Sequence, residues 1–362
     1  MKKVFVIAAL AIISLAACTK IENDSAQKEI NFQVANRVQT KAASAAEYTG
    51  GAFGTYAWFN GTDDFMVNEK VDKAGGMWKT VDHTFYWPKT GSIDFISYSP
   101  FDGASNVASA MPVVDKNSIT YTGYTVSNVD LMYADKVTCS SNVDELTDDL
   151  ETGSDNGYTG VPTLFRHALA KVNFKVAANF LEWGSGSDKT SWEVTLKSAK
   201  IGGLYTTGDC ALTWSGSEWT KPAGNVWSNP SGSTADQELV SSPVTLKAYP
   251  ETTDLASVDG FVLPQALTSA VQTIDFEFHI KTTLANGKVI EEDFNTTVDV
   301  SGLALDKWEM NQMINYTIKF KPTASDTTVP GSTPDSPEDV TITFDPAVAD
   351  WVRVDATATI QL

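Results

Sequence analysis

Hydrophobic and polar residues alternate along much of this chain with the two-residue period of a β-strand. The last eleven residues are the clearest case, because every second position is apolar and every intervening position is polar. The apolar positions are Val352, Val354, Ala356, Ala358, Ile360 and Leu362. Such a strand is roughly 36 Å long at about 3.3 Å per residue. Its apolar face must be buried, either as the last strand of its own sheet or by insertion into the sheet of another molecule.

Similar strand signals recur through the rest of the chain. Ile30, Phe32 and Val34 alternate with polar residues, and the Asn286-Gly287 pair between two alternating runs predicts a β-hairpin. The predicted strands cover 30–34, 53–59, 77–78, 85–88, 93–98, 126–134, 165–176, 192–196, 274–280, 288–294, 314–320 and 340–344. Residues 184–237 are rich in Gly, Ser, Thr and Trp and are expected to form hairpin loops. No helical period is evident between residues 53 and 170, so the sequence predicts an all-β protein.

The length of 362 residues suggests two domains of about 150 residues each. We expect an N-terminal domain over 42–164 and a C-terminal domain over 165–321. Four prolines between residues 322 and 338 indicate an extended linker. The segment 339–362 then carries the alternating tail.

The N-terminus has the features of a secretory signal. Lys2 and Lys3 precede a short apolar run that is too brief for a permanent membrane helix. The Leu-Ala-Ala-Cys sequence that ends at Cys18 resembles the lipobox of bacterial lipoproteins, which implies removal of residues 1–17 and acylation of Cys18. The acyl chains would then anchor the protein to the membrane. The alternative is an ordinary signal peptide in which the cysteine is incidental.

The formal net charge is −19, and without Lys2 and Lys3 the balance is 24 − 45 = −21. So acidic a surface argues against nucleic acid and anionic membranes as partners. Cys139 and Cys210 fall in different predicted domains, so we expect two buried thiols rather than a disulfide.

The sequence contains no recognisable catalytic or metal-binding motif. The three histidines are scattered, and no nucleophile elbow, phosphate-binding loop or dinucleotide fingerprint is present. We therefore expect no enzyme, no metal and no cofactor.

Four of the ten tryptophans lie in loop-like stretches, where we expect greater exposure: Trp183, Trp214, Trp219 and Trp227. Trp214 and Trp219 are the candidates for glycan contacts, since exposed indoles stack on sugars. The alternative is that these rings pack in the core or against loops.

Arg37 and Lys41 lie among small polar residues directly after the first predicted strand. A basic residue in an exposed segment of this kind is where a trypsin-like protease would cut.

An ordered set of segments resembles the fimbrillin family, the pilins and pilin-like lipoproteins of Bacteroidetes. They are GAFGTYAWF (51–59), FYWPKTGSIDFISYSP (85–100), VDLMYA (129–134), FRHALAKVNFKV (165–176), VLPQAL (262–267) and MNQMINYTIKF (310–320). The resemblance implies two tandem β-sandwich domains of transthyretin-like topology and export as a lipoprotein to the outer membrane. It also implies that an outer-membrane protease removes a leader, here residues 18–41 or 18–37. The family more often has arginine where Lys41 stands, so an arginine-specific protease would have to use Arg37 or leave the chain uncut.

Loss of the leader would remove the strand of Ile30, Phe32 and Val34 and open an apolar groove in the sheet. The tail of another copy, or of another pilin subunit, could fill that groove, and such a head-to-tail contact grows into a filament. The leading hypothesis is therefore a structural subunit of a cell-surface fimbria that polymerises by strand exchange. The alternative is a surface glycan-binding lipoprotein, or a tip or anchor adhesin of the same pilus system.

Overall fold

A computed structural model describes most of the chain. The described residues are 29–36, 46–48, 51–88, 90–101, 112–140, 160–214, 226–232, 236–256, 258, 260–303, 305–321 and 352–361. They form twenty-five β-strands and two short 3₁₀ segments, Gly186–Asp188 and Val300–Gly302. The expectation of an all-β protein is confirmed.

The strands of the first half are β1 Phe32–Asn36, β2 Ala46–Glu47, β3 Phe53–Phe59, β4 Asp63–Ala74, β5 Met77–Thr80, β6 Ser92–Ser99, β7 Val113–Asp115, β8 Ser118–Thr125, β9 Met132–Ala134, β10 Val137–Ser140 and β11 Val161–His167. Most of them form one sheet in the order β10-β6-β3-β4-β5-β1-β11-β9, with β2 paired to β1. Because β9 also pairs with β6, the strands from β6 round to β9 form a closed ring. β1 is one member of that ring.

The strands of the second half are β12 Lys171–Ala178, β13 Glu182–Trp183, β14 Thr190–Gly202, β15 Thr207–Thr213, β16 Trp227–Ser231, β17 Gln237–Glu238, β18 Val244–Thr245, β19 Thr253–Asp254, β20 Gln265–Ala266, β21 Thr273–Thr283, β22 Val289–Asp299, β23 Lys307–Trp308, β24 Gln312–Lys321 and β25 Val352–Gln361. One sheet has the order β19-β12-β24-β25, and another has the order β13-β14-β21-β22 with β17 and β18 on β14. The alternating apolar residues of β12, β14, β21 and β24 all contribute to one hydrophobic core. Period-two patterning puts these side chains on one face of each strand, so the two sheets bury them against each other.

A third sheet joins the two halves of the chain. Its order is β16-β15-β8-β7, so β8 from the first half pairs with β15 from the second. The core beneath it draws Tyr98, Tyr121 and Tyr133 from one half and Leu212 and Trp227 from the other. A domain division at 164/165 stays a prediction.

Several local expectations were wrong. The strand expected over 85–88 is a single bridge between Tyr86 and Glu29, and the one expected over 165–176 is divided between β11 and β12. The strand expected over 126–134 is confined to Met132–Ala134. The Ser127 hydroxyl accepts the backbone N–H of Val129 at 3.3 Å, which offers the backbone a partner outside a sheet ladder. The range 184–237, where hairpin loops were expected around the predicted strand 192–196, contains the whole of β14, β15 and β16. β14 and β15 pair with strands that are far away in sequence.

Candidate assembly strands

The first site of interest is the N-terminal strand β1. Its residues Phe32 to Asn36 pair in parallel with Val161 to Phe165 of β11. On its other side, β1 pairs with β5 at one position and with β2 at two. β1 therefore lies inside the sheet, with neighbours on both edges.

The side chains at the start of this segment belong to the core. Ile30 and Phe32 expose 1% and 4% of their surface. The ring of Phe32 lies edge-on to Phe53 at 5.7 Å and to Phe95 at 5.9 Å, measured between ring centroids. Loss of the strand would expose these aromatic rings and leave the facing edges of β11 and β5 without their partner.

The position of β1 in the chain also matters. It ends at Asn36, and the next strand begins at Ala46. Arg37 and Lys41 fall between these two strands, and they lie outside the described residues, as does Cys18. Val34 lies within β1. A cut after either basic residue would separate β1 from everything that follows.

The second site is the C-terminal strand β25. It pairs in parallel with β24 of the same chain over ten consecutive positions, from Gln312↔Val352 to Lys321↔Gln361. The predicted positions Val352, Val354, Ala356, Ala358 and Ile360 all lie within β25, while Leu362 lies outside the described residues. Of the two alternatives for burying the tail, the structure shows the one within its own sheet.

β25 is the last strand in its sheet order, so it has one pairing partner among the described strands. β24 is already paired on its other side to β12 through eight parallel positions, Lys171↔Met313 to Ala178↔Phe320. The tail thus extends a sheet that β12 and β24 already form. β1 and β25 share a further property, since each pairs in parallel with one other strand, β1 with β11 and β25 with β24.

A group of hydrogen-bonded polar side chains, which the sequence analysis did not single out, lies at the end of β11, the strand that pairs with β1. Arg166 on β11 donates from Nε to Asp135 Oδ1 at 2.7 Å and from a terminal nitrogen to Asp135 Oδ2 at 2.6 Å. His167 Nδ1 lies 2.6 Å from Asp130 Oδ2. Burial disfavours the charge of Arg166, but the hydrogen bonds and charge of Asp135 outweigh it and raise the arginine pKa. These contacts hold β11, the partner of β1, against the segment around β9.

Lys136 continues this group on the next segment. Its ammonium lies 3.0 Å from Asp94 Oδ2 and donates to Lys116 O at 2.9 Å and to Asn117 Oδ1 at 2.8 Å. The available signal in the sequence was the set of polar residues in and directly after two largely apolar motifs. Asp130 lies inside VDLMYA, Asp135 and Lys136 follow it, and Arg166 and His167 lie inside FRHALAKVNFKV.

The cysteine expectation is confirmed. Cys139 and Cys210 are buried and are not joined by a disulfide. Burial raises the pKa of the Cys210 thiol to about 12, because a thiolate is costly in an apolar environment.

The exposure expected of the loop tryptophans was wrong for two of them. Trp214 exposes 3% and Trp227 exposes 7%, so a glycan cannot stack on the indole of Trp214. Trp227 is held in place by a hydrogen bond from its indole nitrogen to Ala168 O at 2.7 Å. Trp183 is 59% exposed, as expected, and Trp219 lies outside the described residues.

Two further searches concern ligands and membranes. Across the described ranges, no three His, Cys, Asp or Glu side chains come together as a potential metal site. None of the helical segments that the structure describes has the length and apolarity needed to cross a bilayer.

Taken together, the fold and the two strands define an all-β protein in which both the first and the last described strands are held by parallel pairing. The chain belongs to the fimbrillin-like family, whose profile matches residues 22–351. The resemblance inferred from the sequence is confirmed. A fimbrial, structural role at the cell surface follows from this membership.

Several solved structures are similar to this chain at low sequence identity. A fimbrial protein from Bacteroides vulgatus shares 13% identity with a TM-score of 0.49, over 81% of this chain and 95% of that chain. A candidate cell adhesion protein from Bacteroides uniformis shares 19% identity with a TM-score of 0.39, over 81% and 94%. The fimbrial anchor protein Mfa2 from Porphyromonas gingivalis shares 12% identity with a TM-score of 0.28, over 76% and 83%. No curated protein matches the sequence.

Proposed function

We propose that the protein is a structural subunit of a cell-surface fimbria that polymerises by strand exchange. It is exported as a lipoprotein acylated at Cys18 and matured by cleavage after Arg37 or Lys41. The C-terminal strand β25 of one subunit then takes the place of β1 in the next. Its partners are copies of itself or other pilin subunits, a maturation protease of the outer membrane, and the membrane through the lipid anchor.

The observation that carries this proposal is the common pairing of the two strands. β1 runs parallel to β11, and β25 runs parallel to β24. A tail inserted beside β11 in the direction of β1 would reproduce the kind of ladder that it already forms with β24. No reversal of strand direction is needed.

The energetics support the need for a strand that replaces β1 after cleavage. Ile30 and Phe32 are almost completely buried, and burying each such side chain is worth about 1.5–3 kcal/mol. A subunit without β1 would also have unpaired backbone groups on β11 in the middle of a sheet. Both costs are removed when another strand takes the position of β1 beside β11.

The tail is also placed so that it can leave. β25 occupies a sheet edge, and β24 keeps its pairing with β12 when β25 departs. The stretch 322–351 could span roughly 100 Å when fully extended, at about 3.3–3.6 Å per residue. In the proposed mechanism, β25 pairs with β24 of its own chain before assembly. The position that β1 leaves in a neighbouring subunit then competes with β24 for β25.

Limited proteolysis of the full precursor tests the proposal. Trypsin treatment of the purified chain should yield a new N-terminus after Arg37 or Lys41, followed by ladders that resist SDS without boiling. A chain that lacks Val352–Leu362 should be cleaved equally but remain monomeric. The Arg37→Ala, Lys41→Ala double variant should retain β1 after trypsin treatment, because Lys20 and Lys28 precede that strand, and should stay monomeric. Ladders that form without the tail would overturn strand exchange.

A further inference from the structure

Lys136 differs from the other lysines in ion pairs that the structure describes, because its side chain is buried. It exposes 9% of that side chain, and its partner Asp94 exposes 14%. The other lysine side chains in the described ion pairs expose between 39% and 58%. Buried lysine amines serve as nucleophiles in many proteins, so the groups that face this amine are of interest.

The amine of Lys136 faces a side-chain amide. Its Nζ donates to Asn117 Oδ1 at 2.8 Å and to Lys116 O at 2.9 Å, and it lies 3.0 Å from Asp94 Oδ2. The amide carbon Cγ of Asn117 is one bond beyond Oδ1, so Nζ and Cγ are at most roughly 4 Å apart. An amine, an amide carbon and a carboxylate are thus brought together.

The carboxylate of Asp94 is held in place by the sheet. Asp94 lies on β6, opposite Trp58 of β3 on one side and Thr138 of β10 on the other. The hydroxyl of Thr138 donates to Asp94 Oδ1 at 2.7 Å, which leaves Oδ2 facing the amine. Lys136 directly precedes β10. The fold therefore fixes the carboxylate beside the amine, and an intramolecular reaction is favoured by such positioning.

The amide of Asn117 is presented by a tight turn. Lys116 and Asn117 are the two residues between β7 and β8, since Asp115 pairs with Ser118. The backbone oxygen of Asn117 accepts a hydrogen bond from the backbone nitrogen of Trp214 at 2.9 Å. Asn117 is nevertheless exposed as a residue. Its amide therefore has room to rotate, and a leaving group can escape into solvent.

We propose that Lys136 and Asn117 form an isopeptide bond within the chain, with Asp94 as the proton carrier. Asp94 takes one proton from the ammonium, and the freed lone pair of Nζ attacks Cγ of Asn117. The bond between Cγ and Nδ2 then breaks. Asp94 passes its proton to Nδ2, the second proton of Nζ follows, and Nδ2 leaves as ammonium. The carboxylate is regenerated, and no oxidant or other reactant is consumed.

The bond would connect two sheets of the fold. Asn117 lies at the β7–β8 turn of the sheet that joins the two halves of the chain, whereas Lys136 precedes β10 of the first sheet. A cross-link between them closes the segment 117–136 and restricts the unfolded chain, as a disulfide does. Cys139 and Cys210 form no disulfide. The isopeptide bond would supply a covalent brace that reductants do not break.

Peptide mass spectrometry of the full chain tests the bond, after the purified protein has been held at neutral pH for several days, unfolded and digested with trypsin. Without the bond, trypsin cuts after Lys116 and Lys136 and releases peptide 117–136. With the bond, Lys136 is acylated and is no longer a cleavage site. The expected product is then peptide 117–166, with its mass lowered by one ammonia molecule.

Four variants separate the groups involved. Lys136→Arg keeps the positive charge but lacks the nucleophile, and Asn117→Ala lacks the amide, so neither should lose ammonia. Asp94→Asn should slow the loss by about a hundredfold or more, because its amide cannot carry the proton. Lys116→Arg is the matched control, since it keeps the trypsin site and should react as the parent does. Thermal unfolding of each variant checks that the fold is kept.

The proposal is overturned if the parent releases peptide 117–136 at its full mass and no longer product appears. It is also overturned if Lys136→Arg loses ammonia as the parent does, because Asn117 can lose ammonia alone by cyclising onto the backbone nitrogen of Ser118. The parent digest decides the first point even if a variant fails to fold. Since the reporting peptide lies inside the uncut chain, failure of strand exchange would leave this result unaffected.

Discussion

Arg166 and Asp135 form an ion pair with two hydrogen bonds in which the side chains expose 5% and 0% of their surface. The pair connects β11, the neighbour of the N-terminal strand, to the segment that follows β9. Two charges taken out of water in this way are tolerated only because each neutralises the other and their hydrogen bonds are made. The pair therefore holds β11, which pairs with β1, against the residue that follows β9.

Asp135→Asn should strongly destabilise the protein. The amide keeps the size of the side chain but leaves the Arg166 charge buried without its carboxylate, which lowers the free energy of unfolding by about 3–5 kcal/mol. Urea denaturation followed by tryptophan fluorescence measures this change. The matched control is Asp254→Asn, because Asp254 lies 3.2 Å from Lys175 but is 76% exposed and should cost less than about 1 kcal/mol. Equal effects of the two substitutions would contradict the role given to burial.

Phe32→Ala should destabilise the uncut precursor but not the matured subunit. Phe32 is 4% exposed and contacts two phenylalanine rings, so its truncation leaves a cavity that costs about 3–5 kcal/mol in the precursor. Cleavage after Arg37 or Lys41 and release of the leader would remove residue 32 altogether. Thermal unfolding before and after trypsin treatment separates the two states. If the unfolding temperatures of the variant and the parent still differ after trypsin treatment, β1 has stayed with the subunit.

A disulfide between β24 and β25 should block assembly. Thr317 and Thr357 are directly opposed in the parallel ladder. Neighbouring strands lie about 4.8 Å apart, which is within the range of roughly 4.4–6.8 Å between Cα atoms that a disulfide needs. The Thr317→Cys, Thr357→Cys variant should be cleaved normally but remain monomeric when oxidised.

Addition of a reductant should restore the SDS-resistant ladders of this variant. Each single cysteine variant serves as a control for the substitution itself. If the oxidised double variant polymerises as fast as the parent, the tail need not leave β24 and the proposed exchange is wrong.

The sequence was informative wherever the structure depends on local patterning. The hairpin of β21 and β22 was predicted because Asn286-Gly287 supplies a turn between two alternating runs, and β25 was predicted because its alternation is unbroken. In both cases the signal lies within a few residues of the element that it specifies.

The sequence was less informative wherever a feature depends on distant partners. β25 pairs in parallel with β24, so no hairpin turn connects the two strands and no turn signal in the sequence predicts their pairing. The Arg166–Asp135 pair joins residues that are 31 positions apart. Trp214 was expected to be exposed because its neighbours resemble a loop, yet its ring lies 6.4 Å from Tyr133, which comes from the other half of the chain. Such contacts become visible only when the sheets are assembled.

The native thiols should resist modification until the protein unfolds. Cys139 and Cys210 are 1% and 0% exposed, and burial raises the pKa of Cys210 to about 12. Since the thiolate is the reactive form, 5,5′-dithiobis(2-nitrobenzoate) at pH 8 should react with neither residue in the folded chain truncated before residue 19, and with both in urea.

The raised pKa also means that Cys210 is protonated in the fold above the pH at which the unfolded thiol ionises. Its contribution to stability is therefore complete below pH about 9 and is lost as the pH rises towards 12. Cys210→Ala should make the alkaline loss of stability less steep, and rapid labelling of Cys210 in the native state at pH 8 would contradict this account.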